Sequence, residues 1–287
     1  LLMTLFSLVL SGCWDFEDIN KRNITLSIGV EEVDEQIIFN GEIAKLVSES
    51  NKGGTSATVT DVYYYTSNGK DFEDAKYDYD YKIPNMDFSG AVRSVALSKE
   101  YAIKAGIESY INRFSFMPGF RSSVLVVISE QNTKELFEEK VINDISTGHG
   151  IENTIKYLEK IGYTKYTTVQ DIRQDISFGD IGFVIPYIKK EKDKIKYLGL
   201  AVIKDSKFIG VINADESIGT LYLTTKNASE IEKIPISQNK SNLASIQTKL
   251  NKRKIKTRCE NGEIYIDIKL NLYSKLLYEY IKEPISD

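Results

Sequence analysis

Two thiols, one imidazole and several clusters of carboxylates are the groups in this sequence able to do chemistry, and their spacing decides which chemistry that is. The stretch LVLSGCWDFED, residues 8–18, places Cys13 between an apolar run and an acidic segment. The other cysteine, Cys259, follows Ile255 and Thr257 in an alternating series, which predicts an inward-facing strand residue. The single histidine, His149, lies between two glycines. Zinc sites of ordinary composition and histidine-based catalysis therefore have at most one member here, and His149 reads as loop. Gly53-Gly54 lacks the Gly-Lys-Ser/Thr of a phosphate loop, and no GxGxxG follows a strand, so nucleotide chemistry is disfavoured. The acids Asp71, Glu73, Asp74, Asp78 and Asp80 supply carboxylate pairs of the kind glycoside hydrolysis uses, but such pairs flank a cleft, whereas these share one helix. They read as solvated surface. No catalytic, cofactor-binding or metal-ligating set is predicted.

Cys13 has a more specific context. Leu1 to Leu10 is uncharged and leucine-rich, close to the length of the apolar core of a secretory signal, yet no cationic start precedes it. The expectation is a leader that lacks its true beginning. Leu10, Ser11, Gly12 and Cys13 then have the pattern of a lipobox, the site at which bacterial prolipoproteins are modified and cut. Small Ser11 and Gly12 let a peptidase reach the backbone at the membrane face, and a thiol is readily alkylated to a stable thioether. On this reading residues 1–12 are removed, Cys13 carries a diacylglyceryl group, and residues 13–23 form the anchor and tether. Two acyl chains hold a protein firmly where one holds it marginally. Apart from that covalent lipid no cofactor is expected. There is no second apolar run of the ~20 residues that cross a bilayer, so membrane contact falls to the N-terminus.

The elements that must carry these residues are those of an ordinary globular chain. With 42% hydrophobic and 27% charged residues, 287 residues suffice for two compact domains. The formal charge, 37 minus 41, is −4 and disfavours nucleic acid as a partner. Strand patterns at 24–33 and 36–47, joined by Asp34-Glu35, predict a hairpin; 48–57 reads as loop and 58–65 as a further strand. Helical spacing follows over Phe72, Ala75, Tyr79 and Ile83, with Asp71 placed to cap. Residues 91–97 alternate, a helix with the stripe Ile103, Ile107, Tyr110, Ile111 and Phe114 starts at Ser98, and SSVLVVIS, 122–129, reads as a strand buried on both faces. Further helices are predicted at 135–140, 151–161 and 169–176. The charge run KKEKDKIK, 189–196, marks the expected boundary. Beyond it lie a hairpin over 197–212, a short helical turn after Asn213, and a hairpin turning at Asn261-Gly262 whose second strand alternates Ile264, Ile266, Ile268, Leu270 and Leu272. Lys254, Lys256 and Arg258 would share the face opposite Ile255 and Cys259, and contact between this cationic face and anionic lipid is one expectation for a tethered body. The tyrosines 63–65 and 77, 79 and 81 are expected to be half-buried in a core.

Leu10-Ser11-Gly12-Cys13-Trp14-Asp15 resembles the start of the Ger(x)C family, lipoprotein C subunits of spore germinant receptors. Later landmarks agree in order: Gly69 before the helix with Phe72 and Ala75, Pro118 and Arg121 before SVLVVIS, Pro186, and the stretch from Gly199 to Leu223. Phe116 departs from the pattern, since the family usually has Arg there. Members also usually run on for several dozen residues, so the sequence reads as a piece truncated at both ends. The resemblance implies an α+β fold: mixed sheets flanked by helices in an N-terminal domain, 24–190, then a smaller strand-rich region, 191–287, with the family's last domain incomplete or missing. It implies a lipid-anchored, non-enzymatic subunit of a nutrient germinant receptor, supporting assembly and the response to nutrients in germination. Its implied partners are an A subunit with soluble and membrane parts and a polytopic B subunit, and its place is the outer face of the spore's inner membrane. Two other readings compete: a solute-binding lipoprotein of a transporter, and a peptidoglycan-active lipoprotein enzyme.

Overall fold

A computed structural model describes residues 21–51, 54–117, 119–179, 181–236 and 242–282. Strands β1 (Arg22–Val33) and β2 (Gln36–Asn51) form the predicted hairpin through Asp34 and Glu35, whose φ angles of 50° and 61° are those of a tight two-residue turn. β3 (Gly54–Gly69) returns antiparallel to β2, so residues 48–51 and 54–57, expected as loop, continue the ladder. The pairing satisfies backbone donors and acceptors along the whole hairpin, a gain that local composition does not reveal.

Helix α1 (Phe72–Lys82) starts where Asp71 accepts hydrogen bonds from the amides of Glu73 and Asp74. Short strand β4 (Met86–Phe88) lies parallel to the start of β1. β5 (Ser94–Ser98) enters the sheet beside β1. The single helix expected from Ser98 to Phe114 is divided into α2 (Lys99–Lys104) and α3 (Glu108–Arg113). Gly106 adopts a left-handed φ of 79°, and the Ile107 amide donates to Ser206 O at 2.8 Å instead of continuing the helix. β6 (Leu125–Ser129) is buried at every position, as its apolar run requires. α4 (Thr133–Phe137), α5 (Thr147–Lys160) and α6 (Val169–Ser177) follow, then β7 (Phe183–Glu191), β8 (Lys194–Lys204) and β9 (Lys207–Asn213).

These strands make one sheet in the order β3-β2-β1-β5-β6-β7-β8-β9, with β4 paired to β1. Its centre, β1-β5-β6-β7, is parallel and both wings are antiparallel. Period-two alternation sends Val95, Leu97, Val126, Ile128 and Ile185 into a core shared with α2, α3 and α6, and Ala96, Leu125 and Val127 into a second core under α4 and α5. The charge run 189–196, expected to mark a boundary, forms the β7–β8 hairpin, so the sheet continues through it. A charged sequence suits the exposed tip of a hairpin as well as it suits a linker.

Helix α7 (Ser217–Thr224) leads to a second, three-stranded antiparallel sheet of β10 (Ser229–Pro235), β11 (Leu243–Glu260) and β12 (Glu263–Tyr280). Leu200, Leu221, Tyr222 and Ala228 form a small core that joins it to β8, and Arg253 donates to the carbonyls of Tyr222 and Thr225 at 2.9 and 3.0 Å. The expected class, α+β with a mixed, helix-flanked sheet followed by a smaller strand-rich part, is the observed one.

Gly162 seals the junction between α5 and β10. It has φ of 86°, its carbonyl accepts from Ser229 N at 3.1 Å, and a β-carbon there would fall on Asn227 O and 2.6 Å from Ser229 N. Gly162→Ala is expected to cost about 1–2 kcal/mol from the left-handed backbone alone, with the clash added. A urea unfolding midpoint equal to that of the unsubstituted chain would show that the junction bears no strain.

Candidate functional site

The lipobox Leu10, Ser11, Gly12 and Cys13 lies outside the described residues, as does the tether up to Asn20. Among the described residues no helix is long and apolar enough to cross a membrane, and no group of three or more His, Cys, Asp or Glu is placed to hold a metal ion.

Four of the five carboxylates singled out on α1 are engaged. Asp71 caps the helix, Lys76 pairs with Asp80, Lys82 with Asp78 at 2.5 Å, and Glu73 with Arg113 at 3.0 Å. Asp78 also accepts from the Asn68 amide at 2.9 Å, and these donors hold its carboxyl below the ordinary value although partial burial opposes them. His149 is not in a loop. It lies in the first turn of α5, where Ser146 caps the helix by accepting from His149 N at 3.1 Å, and Ser146 Oγ also meets His149 Nδ1 at 2.8 Å. The cap starts the helix four residues before the apolar stripe does, and burial, then Arg93, holds the imidazole below its ordinary pKa.

Tyr65 and Tyr79 are buried and meet edge to face at 5.0 Å, and Tyr64 donates to Asn40 Oδ1 at 2.7 Å. Tyr63, Tyr77 and Tyr81 face water instead, because the helix and strand alternation turns them away from the core. Cys259 is exposed rather than inward-facing. It shares the register of Ile264, with Ile255 opposite Ile268 and Leu250 opposite Leu272. Leu250 packs against the small core under α7, whereas farther along this face Ile255, Ile264, Ile266 and Ile268 are exposed. The opposite face carries Lys254, Lys256 and Arg258, with Arg258 stacked 5.0 Å from the Tyr265 ring and Lys256 opposite Asp267.

Sequence reasoning missed the most constrained polar groups in the fold. Glu42 on β2 is buried and accepts three hydrogen bonds: from Ser27 Oγ at 2.7 Å, Thr147 N at 2.7 Å and Gly148 N at 2.9 Å. Its carboxylate thus closes the N-terminus of α5, where free amides and the helix dipole favour negative charge. Glu31 on β1 does the same for α4, accepting from Thr133 N at 2.8 Å and Asn40 Nδ2 at 2.7 Å. Close approach of the helices makes this possible. A β-carbon on Gly29 would meet the Thr133 side chain at 2.5 Å, and one on Gly148 the Ser27 side chain at 2.7 Å. Burial holds both carboxyls above their ordinary value, against the donors that lower them. In sequence the two glutamates lie unremarked within the strands of the predicted hairpin, 24–33 and 36–47. The one local signal is that Asn40-Gly41-Glu42 is small and polar between Phe39 and Ile43.

Comparison with known proteins adds the family. The model of the spore germination protein N-terminal domain matches residues 15–190, and that of the spore germination B3/GerAC-like C-terminal domain matches residues 198–286. Spore germination protein A3 of Bacillus subtilis (strain 168) is 26% identical over 289 residues, covering 96% of this chain and 73% of the relative. Spore germination protein B3 of the same organism is 24% identical, covering 89% of this chain and 68% of the relative. The crystal structure of the GerBC protein aligns over 89% of this chain and 73% of that one, with 19% identity and a TM-score of 0.43. With both family models matched in order along nearly its whole length, the chain belongs to the spore germination protein family known as Ger(x)C.

Proposed function

We propose that this chain is a lipid-anchored, non-catalytic subunit of a nutrient germinant receptor, held on the outer face of the spore's inner membrane by a diacylglyceryl group on Cys13. The observation that carries the reading is the ordered match of two germination-protein models across 15–190 and 198–286. The lipobox spacing supports the anchor, and the engagement of Asp71, Glu73, Asp78 and Asp80 in a cap and ion pairs supports a binding rather than a catalytic role. Anchoring confines the folded body to a thin layer at the membrane. Its effective concentration for membrane-bound A and B subunits rises there, so weak contacts suffice for assembly.

Affinity capture of a tagged chain from detergent-solubilised spore inner membranes tests the proposal. Co-recovery of a polytopic subunit and a subunit with soluble and membrane parts is the expected result. Recovery of transporter ATPases in their place would overturn it.

A further inference from the structure

A cleft of about 1020 Å³ opens beside the start of β1, between α1 with the turn after it and the loop after α3. Three large apolar side chains on its walls face water: Phe116 is 85% exposed, Met86 60% and Phe88 40%. Apolar side chains gathered at one place on a surface mark a contact with something apolar. The charges lining the cleft balance, with Arg22, Lys76 and Arg113 against Glu73, Asp80 and Asp87. They are also engaged within the protein. Lys76 pairs with Asp80 and Arg113 with Glu73, Thr25 Oγ1 and the Tyr79 hydroxyl donate to Asp87 at 2.9 and 2.7 Å, and Arg22 is engaged as well. The site therefore suits a partner that brings apolar surface and whose own charge matters little.

The position of the cleft says what that partner is, given the anchor proposed above. Arg22 is the first residue of β1 and lines the cleft, and it follows Cys13 by nine residues. At 3.3–3.6 Å per residue those nine span at most about 32 Å, whatever path they take. A compact chain of this length, with a radius of gyration of about 18 Å, is roughly 45 Å across. With a lipid on Cys13, the start of β1 cannot lie on the side of the body away from the bilayer, because the chain is too short to reach it there. Phe116, Met86 and Phe88 thus stay within reach of the membrane surface.

We propose that Phe116, Met86 and Phe88 are the part of the folded body that enters the interfacial layer of the bilayer, a second attachment besides the lipid on Cys13. The proposal rests on the anchor for its location and on the described side chains for its chemistry. Apolar side chains carried on a short strand and a loop reach the boundary between headgroups and acyl chains, where burial of apolar area drives binding. Because the lining carries no net charge, the contact does not need anionic lipid. Two points of attachment restrict rotation of the body and so fix which of its surfaces membrane-bound partners meet.

The test makes the tether chemically, so that its outcome does not depend on acylation in the cell. The chain from residue 13 onward carries Cys259→Ser, which leaves Cys13 as the one thiol, and Cys13 is coupled to a maleimide phospholipid in phosphatidylcholine vesicles with or without phosphatidylglycerol. Trp14→Phe with Phe116→Trp moves the only tryptophan to the cleft wall. Cys259 and Phe116 are exposed, so circular dichroism and the unfolding midpoint should match those of the parent. The expected result on both kinds of vesicle is emission that is blue-shifted and quenched by brominated acyl chains, with both effects reduced when Met86→Asp is added. Emission equal to that of the uncoupled chain in water would overturn the proposal. So would a blue shift without quenching by bromine, which would place the indole against protein, quenching confined to anionic vesicles, or effects that Met86→Asp leaves unchanged. Failure of the anchor itself shows separately, as a Cys13 without lipid in the mass spectrum of the native chain.

Discussion

On the proposed anchor, Cys13→Ser should transfer the protein from the membrane to the soluble fraction of the spore. A serine hydroxyl does not form the thioether, so the diacylglyceryl group is lost, and with it the two chains whose burial contributes about 0.8 kcal/mol per CH₂. Phase separation in a nonionic detergent gives the readout: the parent chain partitions into the detergent phase and the variant into water. Mass spectrometry of the N-terminal peptide should find the diacylglyceryl mass on Cys13 and no leader. The response to nutrient germinants should fall with the anchor, because the local concentration that drives assembly falls too. Equal partition of both chains into detergent would refute the anchor without touching family membership.

Glu42→Gln should be among the most damaging single substitutions in the folded body. The amide replaces one acceptor oxygen with a donor, which faces either the Thr147 amide or the Gly148 amide and the Ser27 hydroxyl. A buried donor left unpaired costs about 1–3 kcal/mol, and a loss of that size is expected. At about 2–4 °C per kcal/mol for a body of this size, thermal unfolding should fall by roughly 5 °C. A loss under about 1 kcal/mol would show that the α5 N-terminus finds other acceptors.

The same site has a pH signature. Burial raises the folded-state pKa of Glu42 and Glu31 above the ordinary carboxyl value, so the folded chain binds these protons more tightly than the unfolded chain. Their contribution to stability is full below the unfolded pKa and is lost as pH rises through the folded one. Acidification from neutrality to about pH 5 should therefore stabilise the parent chain relative to Glu42→Gln, which has nothing to titrate at that position. Parallel stability curves for the two chains would contradict the assignment.

Signals that act within a few residues were legible in the sequence. The turns at Asp34-Glu35 and Asn261-Gly262 depend on two consecutive residues, and the α1 cap on Asp71 and the amides just after it. The buried strand β6 declared itself because a strand covered on both faces has no polar alternation to keep. The family followed from the order of such local landmarks. What only the tertiary structure decided are matters of partner choice across long separations. Glu31 and Glu42 become buried because α4 and α5, about a hundred residues later, bring unpaired amides onto the sheet at Gly29 and Ser27. Gly106 breaks its helix because Ser206 O, on the distant β8–β9 turn, takes the Ile107 amide. Cys259 lies on the apolar side that its alternation predicts, yet is exposed, since periodicity assigns a residue to a face and only packing determines whether that face is covered.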